Sequence, residues 1–384
     1  MRRLAALALG AMLLGGCAGP PQPPSNGGSP AAGAAGSAAA AAAAGAGVSP
    51  TAAVPTLPVP EGRVYPAPDD QPVQVRAAWC AVTGAQFPLW LAKESGVLAR
   101  HRIEADLTMI QGTTAAIAAL QRGDIDFLEC SGGAIAPGLM AGAEALFVGN
   151  FYTGNFFRLM AVPDVATVAD LRGRKVAIDR PGDYSNRLDE VLLERNGLVP
   201  NQDVTLVPIG GQSDRYNALK TGVVDATTVN PPLNLTAQNE GFHEIYNLED
   251  LGIAGISVSL YATPETVKNR ARLVERFLAA MTETAVYAKT HRPRTIQVMG
   301  SYLKLTDRDA LAGAYDTYAT KLATDLTVPT EALQAVMDEN LKANPEAPIR
   351  DAAQIVDNRA AEAVAASGFL EAIQAEYGVA PAAR

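Results

Sequence analysis

From about residue 72 onward, two kinds of apolar pattern alternate along the chain. Short runs rich in β-branched and aliphatic residues, such as VQVRAAW (73–79), IEADLTMI (103–110) and IDFLEC (125–130), read as strands. Each is followed by a segment with helical apolar spacing that closes on glycine: QFPLWLAKESG (86–96), TAAIAALQRG (114–123) and, after a Gly-rich turn, IAPGLMAG (135–142). The alternation resumes at KVAID (175–179) and DRPGDYSNRLDEVLLERNGL (179–198). It continues through VTLVPI with DRYNALKTG, and DATTV with LNLTAQNEG. Strands alternating with helices predict a mainly parallel sheet.

The pattern also repeats. IQGTTAAIAALQRGDIDFLECSG from Ile110 aligns without gaps with IGGQSDRYNALKTGVVDATTVNP from Ile209, matching Gly112 to Gly211, Leu120 to Leu219, Gly123 to Gly222 and Asp126 to Asp225. Two similar α/β lobes account for this most simply. In open α/β sheets ligands sit beyond the carboxyl ends of the strands, where loops and helix N-termini converge. Those loops carry many capping types. Thr83-Gly84-Ala85-Gln86 fits a capping box, Thr113, Thr114 and Ser213 suit N-caps, and Asn230 precedes Pro231 as a cap before a first-turn proline.

In DRPGDYSNRLDEVLLERNGL the apolar positions Leu188, Val191 and Leu192 define a helix that Gly197 can close. Its N-terminus offers unpaired N–H groups to an anion, another polar ligand, or a capping side chain.

Ahead of this α/β region the chain is different. MRRLAALALGAMLLGGC sets two arginines before an apolar run ending in small residues, the layout of a secretory signal. Leu14-Gly15-Gly16-Cys17 resembles the lipobox of bacterial lipoproteins, which implies cleavage and lipidation at Cys17, with residues 1–17 as signal peptide. Residues 18–70, dominated by Ala, Gly, Pro and Ser, read as a disordered linker. With 31 Lys+Arg against 40 Asp+Glu and no basic stripe, nucleic acid is not an expected partner. Cys80 and Cys130 end two strands; a disulfide and two buried thiols both remain open, while metal binding lacks a nearby His or further Cys.

The leader LGGC, the run WLAKESGVLARHRIEADL with ALQRGDIDFLECSGGAIA, the stretch MAVPDVATVADLRGRKVAID, and VLLERNGLVPNQDVTLVPI with ALKTGVVDATTVNPP resemble the extracytoplasmic solute-binding proteins of ABC importers. The closest group is the nitrate, taurine and aliphatic-sulfonate type, whose fold is shared by thiamine-pyrimidine-precursor binders. The resemblance covers about residues 72–370 and includes AQIVDNRAAEAVAASGFLEAI as a closing segment. It implies an α/β fold of the periplasmic-binding-protein type II kind, with two lobes, two hinge crossings and a helical C-terminal part. Lobe 1 would span 72–160 plus 262–384 and lobe 2 164–255, with crossings near Leu159–Pro163 and Ile256–Ala262.

It further implies a monomer, tethered outside the membrane by its lipid, that needs no cofactor and delivers a small polar or anionic organic solute of the sulfonate, nitrate or pyrimidine-like class to a permease and its ATPase. The ligand would touch Thr83, Gly84, Ala85 and Gln86, the turn Ser131, Gly132 and Gly133, Tyr152 and Asn155, the opening turn with Asp183, Tyr184, Ser185, Asn186 and Arg187, and Asn230. Asp183 departs from the small or hydroxyl residues usual in sulfonate binders of the group. A carboxylate beside a bound anion is repulsive.

From the residues themselves, Phe147 and Phe151 read as core, and Trp79 as core or cleft. Arg187 and Arg215 lie in first turns where either could reach a carboxylate or sulfonate, with a solvated surface position the default for both. His101, His243 and His291 stand in polar or segment-edge contexts, without a GxSxG, HExxH or Walker pattern, so an enzyme is the least favoured reading. A ligand sensor docking on a membrane signalling partner would use the same cleft as an importer component.

Overall fold

The computed structural model describes residues 65–379 except 254. The signal, Cys17 and nearly all of the linker lie outside the described residues.

The chain runs through β1 (Val73–Trp79), α1 (Phe87–Glu94), α2 (Val97–Arg100), β2 (Ile103–Met109), α3 (Thr113–Gln121), β3 (Phe127–Ser131), α4 (Gly132–Met140) and β4 (Leu146–Asn150). It continues with β5 (Arg158–Ala161), β6 (Lys175–Ile178), α5 (Tyr184–Arg195), β7 (Thr205–Pro208), α6 (Gln212–Lys220), β8 (Ala226–Val229), α7 (Leu233–Asn239), β9 (His243–Asn247) and β10 (Val258–Ala262). A helical part follows: α8 (Pro264–Asn269), α9 (Ala271–Thr290), α10 (Arg292–Leu303), α11 (Arg308–Lys321), α12 (Thr330–Ala343), α13 (Arg359–Ala366) and α14 (Phe369–Glu376).

Two five-stranded mixed sheets result, in the orders β2-β1-β3-β10-β4 and β7-β6-β8-β5-β9. Strand for strand the orders correspond. In each, three parallel strands meet one antiparallel strand, β10 or β5, next to the edge strand. The repeated segment maps onto α3–β3 in one sheet and α6–β8 in the other, and Gly123 and Gly222 both take φ 71° at the helix end, where a Cβ would be strained.

The matched aspartates also act alike. Asp126 accepts from the Arg76 backbone N–H at 2.8 Å and its own N–H donates to the Arg76 carbonyl at 2.7 Å. Asp225 does the same with Lys175, at 2.8 and 2.9 Å. Each aspartate clasps the start of its strand to the neighbouring one.

Three expectations need correction. Residues 65–70 belong to the packed fold, not to a linker. The Tyr65 ring meets Phe369 edge-on at 5.5 Å and Asp70 pairs with Arg272 at 2.8 Å, so an aromatic contact and an ion pair hold this stretch on α9 and α14. The first crossing lies at 151–157, because Leu159 and its neighbours already pair with β8 and β9. The second lies at 252–257, because Val258–Ala262 already pairs with β3 and β4.

Helix α9 anchors the helical part under the first sheet. Leu273, Val274, Phe277, Leu278, Met281, Ala285 and Ala288 recur at three- and four-residue spacing and are all buried, with Phe277 stacked on Phe127 at 4.0 Å. A buried Phe of this kind contributes roughly 1.5–3 kcal/mol by desolvation. Phe147 and Phe151 are core, as read. Trp79 packs on Trp90 and Tyr302, away from the cleft. His101, read as a segment-edge residue, is fully buried and bonded through Nε2 to Glu283 at 2.7 Å, tying α9 to the end of α2.

Candidate ligand-binding cleft

A cavity of about 590 Å³ opens where the carboxyl ends of β1, β3, β6 and β8 face each other. One wall comes from the first sheet's loops, the other from the second's.

The first wall begins where β1 ends. Thr83, Ala85 and Gln86 line the cavity; Gly84 does not. Gly84 is instead the point of contact with the other wall: a Cβ there would lie 2.8 Å from the Tyr318 ring and 2.9 Å from the Pro231 carbonyl, so only glycine fits. The expected capping box is absent, since Thr83 makes no capping bond and Gln86 turns inward. Gln86 is 2% exposed; its Nε2 reaches Cys80 Sγ at 3.8 Å and its Oε1 has no hydrogen-bond partner. Cys80, also lining the cavity, is joined to Cys130 by a disulfide with Cα atoms 5.3 Å apart. The bond ties the β1 loop to the end of β3.

Ser131 lines the cavity at the N-cap of α4, but Gly132 and Gly133 do not. Their N–H groups are already used, donating to Ser257 and Ile256 carbonyls in the second crossing at 2.5 and 3.0 Å. α3 enters the cleft with Gly112 as N-cap, at φ 91° and without a capping side chain; Thr113 and Thr114 stand inside the helix.

The second wall is built by β6, α5, α6 and β8. Asp179 and Arg180 follow β6, and Gly182 turns the chain at φ 80° into Asp183, which caps α5 by accepting from the Ser185 N–H at 3.1 Å and hydroxyl at 2.9 Å. Asp183, Tyr184 and Ser185 line the cavity. Asn186 and Arg187 do not: both bond Glu190 along the helix, at 3.0 and 2.5 Å, which draws them from the mouth. The N-cap of α6 is Gly211, with Ser213 inside the helix, and Asn230 is no helix cap either, since α7 starts after Pro232. The Asn230 N–H donates to Gln212 Oε1 at 2.6 Å, while its Oδ1, buried at the cleft, has no partner.

Arg215 is no surface residue. It is 2% exposed, with Nη1 donating to the Gly210 carbonyl and Nη2 to the Thr228 carbonyl, each at 2.9 Å. Burial pushes its guanidinium down, against the pull of Asp189, Asp179 and Asp183 around it. Burial, and then Asp183 nearby, raise the Asp179 carboxyl. Asp189, behind the wall, takes the Thr228 hydroxyl at 2.5 Å and is pushed up to about 7 by burial.

Tyr152, expected in the cleft, is core: its ring meets Phe156 edge-on at 5.2 Å and Tyr318 at 5.9 Å. Asn155 does line the cleft, and also holds the first crossing by accepting from the Phe157 N–H and donating to the Leu248 carbonyl. Gln111, Gly112, Gly210, Gly211 and Gln212 also line the cleft and were not read as site residues from the sequence. The internal repeat could have found them, because it aligns 111–113 with 210–212 and sets both segments at helix starts. Among the described residues, no group of three His, Cys, Asp or Glu is placed to hold a metal ion.

The family model described as NMT1/THI5 like matches residues 85–295, over half of the chain. The chain belongs to the NMT1/THI5-like family. No curated protein matches it. Its fold is that of solved substrate-binding proteins of ABC transporters. It is similar to the alkanesulfonate-binding protein SsuA from Xanthomonas axonopodis pv. citri bound to MOPS, at 20% identity over 75% of this chain and 99% of that one, TM-score 0.61. The aliphatic sulphonate binding protein SsuA from Escherichia coli is 19% identical over 73% and 90%, TM-score 0.60. The nitrate-binding protein NrtA from Synechocystis PCC 6803 is 14% identical over 79% and 90%, TM-score 0.64. Family and fold agree with the group that the sequence resembles.

Proposed function

We propose that this NMT1/THI5-like chain is the solute-binding component of an ABC importer, holding a small polar organic solute between two lobes and delivering it to a permease and its ATPase. The observation that carries this is the cleft itself, about 590 Å³, walled by loops of both sheets and lined by polar groups, Gln86 and Asn230 among them, whose acceptors are unpaired. The lobes would be the two sheets with their helices, hinged at 151–157 and 252–257, and closure would draw on contacts that the solute makes with both walls. Sulfonates, nitrate and pyrimidines are the solute classes that the resemblance suggests.

The protein would act as a monomer held by a lipid on Cys17 at the outer face of the cell membrane or in the periplasm. The Cys80–Cys130 disulfide supports an oxidising compartment. Bonded to each other, these two cysteines offer no thiol nucleophile at the cleft, which favours binding over catalysis.

A thermal-unfolding screen of the full chain in detergent, against sulfonates, nitrate, pyrimidines, carboxylates and amines, tests the reading. A ligand at a hundred times its Kd stabilises the fold by about 2.7 kcal/mol. No shift with any of them counts against solute capture, and an unmodified Cys17 in processed protein would remove the lipid tether.

A further inference from the structure

We infer that the solute held in this cleft is an organic cation, an ammonium or guanidinium head on an apolar body, and not an oxyanion. This rests on the solute-binding reading above and names the chemistry of its ligand.

Two buried acceptors point to donors on the solute. Gln86 Oε1 on one wall and Asn230 Oδ1 on the other each lack a hydrogen-bond donor, and both side chains are more than nine-tenths buried at the cavity. A buried amide oxygen left unpaired carries an uncompensated desolvation cost, which an incoming N–H relieves.

Charge points the same way. The lining carries Asp179, Asp183 and Asp214 against Arg180 and Arg215. Arg215 has both Nη groups on backbone carbonyls and three carboxylates near it that offset its charge, which leaves its buried Nε–H as the one unpaired donor of that guanidinium. The Arg180 side chain is 56% exposed and lies 3.7 Å from Asp179. The helix ends that could hold an anion are also compromised. α5 is closed by Asp183, α4 by the second crossing, and α6 carries Asp214 in its first turn. α3 enters the cleft with neither an acid in its first turn nor a side-chain capping bond, a place for a neutral acceptor on the same solute.

The apolar body follows from the rim. Val82 and Met109, 38% and 37% exposed, are two of the four large hydrophobic residues exposed among the described residues, and both line this cavity. A cavity of about 590 Å³ suits an organic body of this kind, packed against both side chains.

The test uses three probes of one shape, benzylamine, benzyl alcohol and phenylmethanesulfonate, titrated calorimetrically at neutral pH into the full chain in detergent. We expect benzylamine to bind at least about tenfold tighter than the sulfonate. Asp183→Asn, which keeps a good N-cap, and Asp179→Asn should each weaken the amine about three- to thirtyfold and leave the sulfonate equal or tighter. A sulfonate that binds tighter than the amine, or amine binding that neither substitution weakens, overturns the inference while leaving solute capture standing. Failure of all three probes together with a silent thermal screen overturns both.

Discussion

Tyr184, the first residue of α5, lays its ring against Gly133 in the first turn of α4, so close that a Cβ on Gly133 would lie 2.7 Å from Tyr184 Cγ. Two helices anchored in different sheets meet at this point, beside the cleft. Gly133→Ala is therefore expected to push the two walls apart and weaken solute binding about tenfold or more. Adding Tyr184→Ser, which removes the ring, should restore part of the affinity lost. Titration of a solute found by the thermal screen reads both effects; unchanged affinity in Gly133→Ala would show that the contact does not limit approach of the walls.

The Cys80–Cys130 bond closes a loop with a sequence separation of 50. Loop-closure entropy puts its stabilisation at about 4 kcal/mol, with native strain reducing the measured value. Replacing both cysteines by alanine should lower Tm by roughly 5–10 °C in calorimetry. An equal Tm with and without reductant, the bond being verified as reduced by mass, would contradict this.

Asp189 gives the fold a pH dependence. Burial pushes its carboxyl up to about 7 from an ordinary 3.8; Thr228 and Arg215 pull it down, while Asp183 and Glu190 add to the rise. A carboxyl that holds its proton more tightly in the folded chain contributes stability fully present below pH 3.8 and lost as pH rises through 7. Asp189→Asn, which can still accept from Thr228, should gain stability over the parent between pH 5 and pH 8, on the order of 2–3 kcal/mol. Parallel Tm–pH curves for the two proteins would contradict it.

Asp126 behaves with the opposite sign. Burial raises its carboxyl, but the Arg76 N–H and the Arg270 and Arg76 guanidinium groups together hold it below the usual range. Its contribution is present above the ordinary carboxylate value and is lost as pH falls below that. Asp126→Ala should cost about 1–3 kcal/mol at pH 7 and less at pH 3, measured by denaturant unfolding. An equal cost at both pH values would mean that its charge does not matter.

The strands and helices were legible wherever a local period set them, and the internal match of 110–132 with 209–231 foretold the paired sheets. The site was legible only in part. Thr83, Ala85, Gln86, Ser131, Asn155, Asp183, Tyr184, Ser185 and Asn230 line the cleft, and Asp183 caps α5 as its position suggested. Gly84, Gly132 and Gly133 are instead glycines of close approach, spent on Tyr318, on the second crossing and on Tyr184, contacts between residues far apart in sequence. Tyr152 went to the core for the same reason: its partner Tyr318 lies on α11, where no local pattern reveals it. Arg187 reads like Arg215 as a first-turn cation. Only the tertiary carbonyls of Gly210 and Thr228 separate the buried one from the one that pairs along its own helix.

Solute capture in this cleft is tested most directly by the crystal structure of the full chain with a solute from the thermal screen. One molecule is expected between the walls, donating to Gln86 Oε1 and Asn230 Oδ1 with its charged end toward Asp179 and Asp183. A stabilising solute bound elsewhere, with this cleft empty, would contradict it.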